Sequence, residues 1–255
     1  MCERIRSSLA VAIVIMNPPV SGHFDEDDQQ LARYKAGMNA CLDRGQDVIG
    51  YVYTDGGNRD PAMVRSDIDT YYHAFPRIRG IFLDQMANAP ATDPAWPTTR
   101  AYYRGLYRDI KHRSRTARVV GNPGVAATTD WQLRKPRSVD ILVDFEGPYI
   151  KRVPPDPNPD PDGFNGFKGW TPPAWVSAWP ETKFAHLVYR STTKATTRAA
   201  CKASEQTHAG WIFVTTDNFE PDALPGTPSA SPWDFPPGPV MLGCSTLYRR
   251  AVFSP

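Results

Sequence analysis

Short apolar runs recur along the chain at residues 9–16, 48–53, 80–83, 118–121, 140–145, 184–189 and 210–215. Each is rich in Val, Ile, Phe or Tyr and too short for a buried helix, so the pattern predicts seven buried strands. Their near-continuous hydrophobicity fits parallel strands covered on both faces. Between most of them the apolar spacing changes to three and four. Residues 27–44 carry Leu31, Tyr34, Met38 and Leu42, and Gly45 follows as a stop. Residues 61–75 begin with a proline suited to a first helical turn. Residues 98–111 place Tyr102, Leu106 and Ile110 on one stripe, and residues 192–207 precede the last strand. Strand and helix alternate, which predicts an α/β fold with a parallel sheet.

A closed barrel of this kind has eight strands, and the sequence marks seven. An open doubly wound sheet is the structural alternative. No Gly-rich phosphate loop follows any strand, which weakens a nucleotide-binding reading.

Polar residues stand at the ends of six runs: Asn17, Thr54-Asp55, Asp84-Gln85, Asn122, Glu146 and Thr216-Asp217. Sites of α/β barrels gather at the C-terminal ends of strands. Side chains alternate along a strand, so Phe82 and Asp84 share one face while Ile81 and Leu83 share the other. The same count puts Ile141, Val143 and Phe145 under the helices and Leu142, Asp144 and Glu146 toward the axis. It puts Phe213, Thr215 and Asp217 on the axis too. Asp84, Glu146 and Asp217 are therefore expected at one mouth, with Gln85 turned toward the loop and Asp144 in a structural bond below. Two converging carboxylates suit glycoside hydrolysis. Tyr51, Tyr53, Tyr149 and Trp233 offer flat apolar faces with polar handles for sugar rings. Trp170, Trp175 and Trp179 are expected to anchor a loop, and His23 to lie at the surface.

Composition narrows the partners. Among 255 residues the net charge is +2, and Lys and Arg are dispersed, which gives no electrostatic case for a nucleic acid or a membrane surface. No stretch is long enough to span a bilayer. Arg4 and Arg6 before residues 9–16 imitate a signal peptide, but Asn17-Pro18-Pro19 ends the run abruptly, and a buried strand is the expectation. The 26 prolines cluster at residues 154–180 and 221–239, which predicts long irregular loops there. Cys2, Cys41, Cys201 and Cys244 show no zinc-ligand spacing, which gives no case for a zinc site, and no cofactor is expected. Free buried thiols and a Cys201–Cys244 bridge both remain open.

Several segments, in order, resemble the spherulin-4-like (spherulation-specific) family. They are Val14-Ile15-Met16-Asn17-Pro18, Val48-Ile49-Gly50-Tyr51-Val52-Tyr53-Thr54, Gly80-Ile81-Phe82-Leu83-Asp84 and Val120-Gly121-Asn122-Pro123-Gly124. Phe145-Glu146-Gly147-Pro148-Tyr149, Phe184-Ala185-His186-Leu187-Val188-Tyr189 and Pro232-Trp233-Asp234 complete the series. The resemblance implies a (β/α)8 TIM-type barrel, here lacking its first strand and left with seven parallel strands and a gap. It implies one domain over residues 1–255, truncated at the N-terminus, with a Pro-rich insertion at 151–180.

It further implies a metal-free, extracellular or cell-wall glycosidase, expected to be monomeric, cutting α-1,4-linked galactosamine or N-acetylgalactosamine polysaccharide. Asp84 and Glu146 would be catalytic. Asn17, Tyr51, Tyr53, Gln85, Asn122, Tyr149, Asp217 and Trp233 would bind substrate. The family commonly has Asp-Glu where this chain has Asp84-Gln85, and Gln cannot ionise. The alternative is therefore a catalytically silent carbohydrate-binding or spore-wall protein.

Overall fold

The computed structural model describes residues 11–17, 28–90, 92–150, 166–215 and 249–254. The seven expected strands are present: β1 (Val11–Met16), β2 (Asp47–Tyr53), β3 (Gly80–Asp84), β4 (Arg118–Gly121), β5 (Ile141–Pro148), β6 (Phe184–Tyr189) and β7 (Trp211–Val214). They pair in parallel in chain order. An eighth strand, β8 (Arg249–Ser254), pairs in parallel with both β7 and β1, and the barrel is closed. The gap expected between the first and last marked strands is thus filled by the C-terminal end of the chain. Closure removes the two unpaired edges that a gap would leave. The basic and apolar stretch 249–254 carries no period-2 pattern, so nothing in its sequence announced a strand.

Among the described residues four helices cover the barrel: α1 (Asp28–Leu42), α2 (Pro61–Ala74), α3 (Trp96–Arg113) and α4 (Lys194–Gln206). Gly45, at φ 78°, takes the left-handed turn after α1 that glycine adopts without strain. Pro61 opens α2, and the Asp60 side chain accepts from the Ala62 amide. Thr193 and Thr196 exchange side-chain and backbone bonds in a capping box before α4. On α3 the fully buried aromatic is Tyr103, with Leu106 and Ile110, rather than Tyr102. The i, i+3, i+7 stripe faces the sheet, and Tyr102 is only partly buried beside it.

The Pro-rich stretch from residue 166 onward forms three short 3-10 turns, at Phe167–Gly169, Ala174–Ala178 and Glu181–Lys183. Trp175 and Trp179 anchor it, donating to the Thr128 carbonyl (3.2 Å) and to Asp130 Oδ2 (3.1 Å). Trp170 packs on Phe145 and Phe167. Cys41 and Cys201 are both disulfide-bonded, so the free-thiol alternative fails for them.

Ile13, Ile15, Phe82, Val120, Ile141, Val143, Ala185 and Leu187 fill the barrel axis, while Val14, Ile81, Leu83, Val119 and Leu142 pack under the helices. The alternation expected for β3 holds. That for β5 is corrected: Ile141 and Val143 face the axis, and Leu142 faces out. Pairing with β6 runs Val143 to Ala185 and then Phe145 to His186, so Asp144 is an extra, bulged residue. The bulge turns Phe145 outward onto Phe167, Trp170 and His186. It returns Glu146, paired with the axis residue Leu187, to the inside. Glu146 reaches the mouth as expected, but through a bulge that a residue count cannot see.

Candidate active site

Strand ends β2 to β5 set the site. Asp84 closes β3 on the face of Phe82, and Tyr51 on β2 stacks on that ring at 6.0 Å. The Tyr51 hydroxyl donates to Asp84 Oδ2 at 2.5 Å. Asn122, just past β4, is buried and donates from one Nδ2 to Asp84 Oδ1 (2.8 Å) and to Glu146 Oε2 (2.5 Å). Its own Oδ1 accepts from the Gly124 amide, which fixes which way the amide points. Two bonds sharing one nitrogen keep those two carboxylate oxygens within about 5.3 Å of each other.

At about 5 Å two full negative charges repel by roughly 3 kcal/mol at an effective dielectric of about 20. One shared proton relieves this. Burial, and after it the Asp84 charge, push the Glu146 carboxyl up to about 8, and the Asn122 bond opposes only in part. Burial raises the Asp84 carboxyl as well, and hydrogen bonds from Tyr51, the Gln85 backbone and Asn122 oppose that rise only in part. Both carboxyls are thus raised, and the pair holds a proton to higher pH than a solvent-exposed carboxyl would.

The loop after β3 is held from behind. Thr54, buried at the end of β2, donates from Oγ1 to the carbonyls of Asp84 (2.7 Å) and Gln85 (2.9 Å). The Tyr103 hydroxyl on α3 braces Thr54 at 2.9 Å and itself accepts from the Ala87 amide. Gln85 sits at φ 45°, a costly left-handed conformation for a non-glycine residue, and the Gly56 amide bonds its carbonyl at 2.8 Å. The Gln85 side chain is exposed at this turn.

Of the other expected site residues, Asn17 is half-buried in line with Ile13 and Ile15, at the same rim. Tyr53 is half-buried, and its hydroxyl donates to Asp55 rather than to the pair. Tyr149 is buried, its amide bonded to the Tyr189 carbonyl. Asp217, Trp233 and His23 lie outside the described residues. Asp144 is in a structural contact, with His186 Nε2 at 3.2 Å, but in the wall rather than on the axis. Thr54 was marked in the sequence only as a polar strand end, and its bonds behind Asp84 appear in the fold. Tyr103 was not singled out, because its stripe on α3 shows only when counted from buried neighbours.

Tyr51→Phe removes the shortest bond to Asp84 without emptying the site. Asp84 then loses a bond that lowers its pKa, so its carboxyl should titrate at higher pH. In a carbon-13 titration the Asp84 midpoint should move up by about one unit, with the melting temperature little changed. An unmoved midpoint would separate Tyr51 from Asp84 ionisation.

Among the described residues no group of three or more His, Cys, Asp or Glu could hold a metal ion, and no helix is long and apolar enough to cross a membrane. The crystal structure of Aspergillus clavatus Sph3 in complex with GalNAc shares this fold, at a TM-score of 0.55 and 21% identity over 80% of this chain and 77% of that one. Spherulin-4 of Physarum polycephalum is 36% identical over 112 residues, which span 44% of this chain and 31% of that protein. The profile of the spherulation-specific family 4 matches residues 1–230, and the chain belongs to that family.

Proposed function

We propose that this protein is a glycoside hydrolase acting on α-1,4-linked galactosamine or N-acetylgalactosamine polysaccharide. The observation that carries the reading is one amide, Asn122 Nδ2, holding Asp84 and Glu146 together, with the Glu146 carboxyl raised to about 8 by burial and then by the Asp84 charge. A carboxyl that keeps its proton beside a charged partner can serve as the acid, and the partner as the nucleophile. Glu146 keeps its proton near neutral pH and gives it to the glycosidic oxygen as that bond breaks. Asp84, ionised, attacks the anomeric carbon. Water, deprotonated by Glu146, then releases the sugar from Asp84. The contact that both carboxyls make with Asn122 favours a close, retaining pair, whose carboxyls stand about 5–5.5 Å apart.

The sugar class is carried over from the family and from the GalNAc bound to the A. clavatus protein. Tyr51 and Asn17 at the same rim would contact the sugar. Disulfides at Cys41 and Cys201 fit an oxidising, extracellular or cell-wall setting. The competing reading, a binding protein that holds polymer without cutting it, rests on Gln85. The exposed Gln85 side chain makes no bond to either carboxylate, which favours a substrate-side role over proton transfer.

Reducing-end release from purified galactosamine polymer separates the two. The natural protein should cut. Gln85→Glu should raise the rate about 2–5-fold, and only on deacetylated, cationic polymer, because an exposed carboxylate attracts an ammonium group weakly. Polymer retained on a column of the natural protein with no reducing ends released would establish the binding protein instead.

A further inference from the structure

Behind the site, in the wall between β5, β6 and α4, lies a polar chain that the chemistry above does not use. Asp144, His186 and Ser204 are all fully buried. His186 Nε2 stands 3.2 Å from Asp144 Oδ1, and its Nδ1 stands 3.1 Å from Ser204 Oγ on α4. The rings of Phe167 and Trp170 close on the imidazole, each with its centroid at 5.1 Å. The Asp144 carbonyl accepts from the Ala127 amide, in the loop that begins at Asn122.

A buried ionisable pair is poor value for stability alone. Apolar residues of similar volume commonly do as well or better, because both groups must leave water. What such a pair supplies is a unique arrangement, and its place in the chain says which one. Asp144 is the bulged residue of β5, and His186 is on the strand it bulges against, paired with Phe145. Without a tie, an extra residue in a strand is free to migrate along the pairing. Two positions later, it would set Phe145 opposite Leu187, in the place that Glu146 now holds.

We propose that the Asp144–His186 pair is a positioning device for Glu146, pinning the β5 bulge so that this carboxyl meets Asn122 and Asp84 at the mouth. Ser204 orients the imidazole by bonding its other nitrogen. None of the three residues touches the site or a substrate; they act through the strand. The inference uses the proposed hydrolysis only for its activity readout.

The test is a carbon-13 titration of the Glu146 carboxyl in the full chain, with Asp84 on β3, Tyr51 on β2 and Asn122 beyond β4 left unchanged around it. The double variant Asp144→Leu/His186→Leu keeps the wall filled and should melt cooperatively. Its Glu146 midpoint should fall by at least about one pH unit, since a displaced carboxyl loses both burial and the Asp84 charge. Asp144→Asn retains the shape and a contact to His186, and should leave the midpoint near that of the natural protein. On polymer the double variant should lose about 100-fold in kcat with KM within about twofold, the signature of misplaced chemistry rather than lost binding. A Glu146 midpoint unchanged in the folded double variant overturns the proposal. If the double variant does not fold, Ser204→Ala decides: a downward shift supports the device and an unmoved midpoint ends it. The titration needs no substrate, so a protein that proves not to cut polymer leaves this result standing.

Discussion

Asp84→Asn is expected to lower polymer hydrolysis by about 10,000-fold while leaving the fold in place, a loss of the size found when one member of a reacting group is removed. The replacement is nearly isosteric, and the site can absorb it. The new Oδ1 can accept from Asn122 as Asp84 does now, and the Tyr51 hydroxyl, free to rotate, can accept from the new amide. What disappears is a negative charge and a nucleophile. The loss should therefore fall on kcat, with polymer still retained. A second readout goes with it. Glu146 is raised by burial first and by the Asp84 charge second, so its midpoint should drop from about 8 yet remain above the ordinary 4.5. Reducing-end assays and the carboxyl titration check the two halves separately. Hydrolysis undiminished in the folded variant would remove Asp84 from the proposed chemistry.

Gly80→Ala should cost about 3–5 kcal/mol of stability, or a fall in melting temperature on the order of 10 °C. Gly80 opens β3 four residues before Asp84 and pairs with Arg118 of β4. A Cβ built there would lie 2.0 Å from the Arg118 carbonyl oxygen and 2.7 Å from its amide nitrogen. These are backbone atoms, so no change of rotamer clears the contact. The two strands must part, and the ladder that aims Asp84 and Asn122 at each other parts with them. Gly37 is the control. A Cβ there meets nothing within 4 Å, and Gly37 lies inside α1, where Ala is the better helix former. Gly37→Ala should hold or raise the melting temperature. Equal melting of the Gly80→Ala and natural proteins would show that the β3–β4 spacing is not set by this glycine.

Much of the site was legible because it depends on local periodicity. The run Ile81-Phe82-Leu83-Asp84 has no irregularity, so alternation alone places Asp84 beside Phe82 on the axis face, where the structure has it. The same holds for Tyr51 with Ile49, and for Asn122 two residues after Val120. The family resemblance rested on these segments, and the profile match confirms it.

Three features depend on parts of the chain that are far apart in sequence, and for that reason the sequence alone did not carry them. The bulge at Asp144 is a property of two strands, since only pairing with β6 shows one residue too many; counted alone, β5 puts its apolar residues on the wrong face. The closing strand is made by residues 249–254, whose partners begin at Val11, so its identity is set by the vacancy between β7 and β1 and not by its own composition. The raised carboxyl pair of Asp84 and Glu146 arises because β2, β4 and β5 bring Tyr51, Asn122 and a second carboxyl to one place. The sequence determined which residues each strand presents, because side-chain direction follows from a repeat of two. The tertiary structure alone decided how those strands are registered, and with that how tightly the carboxyl pair holds its proton, because burial and charge act through space.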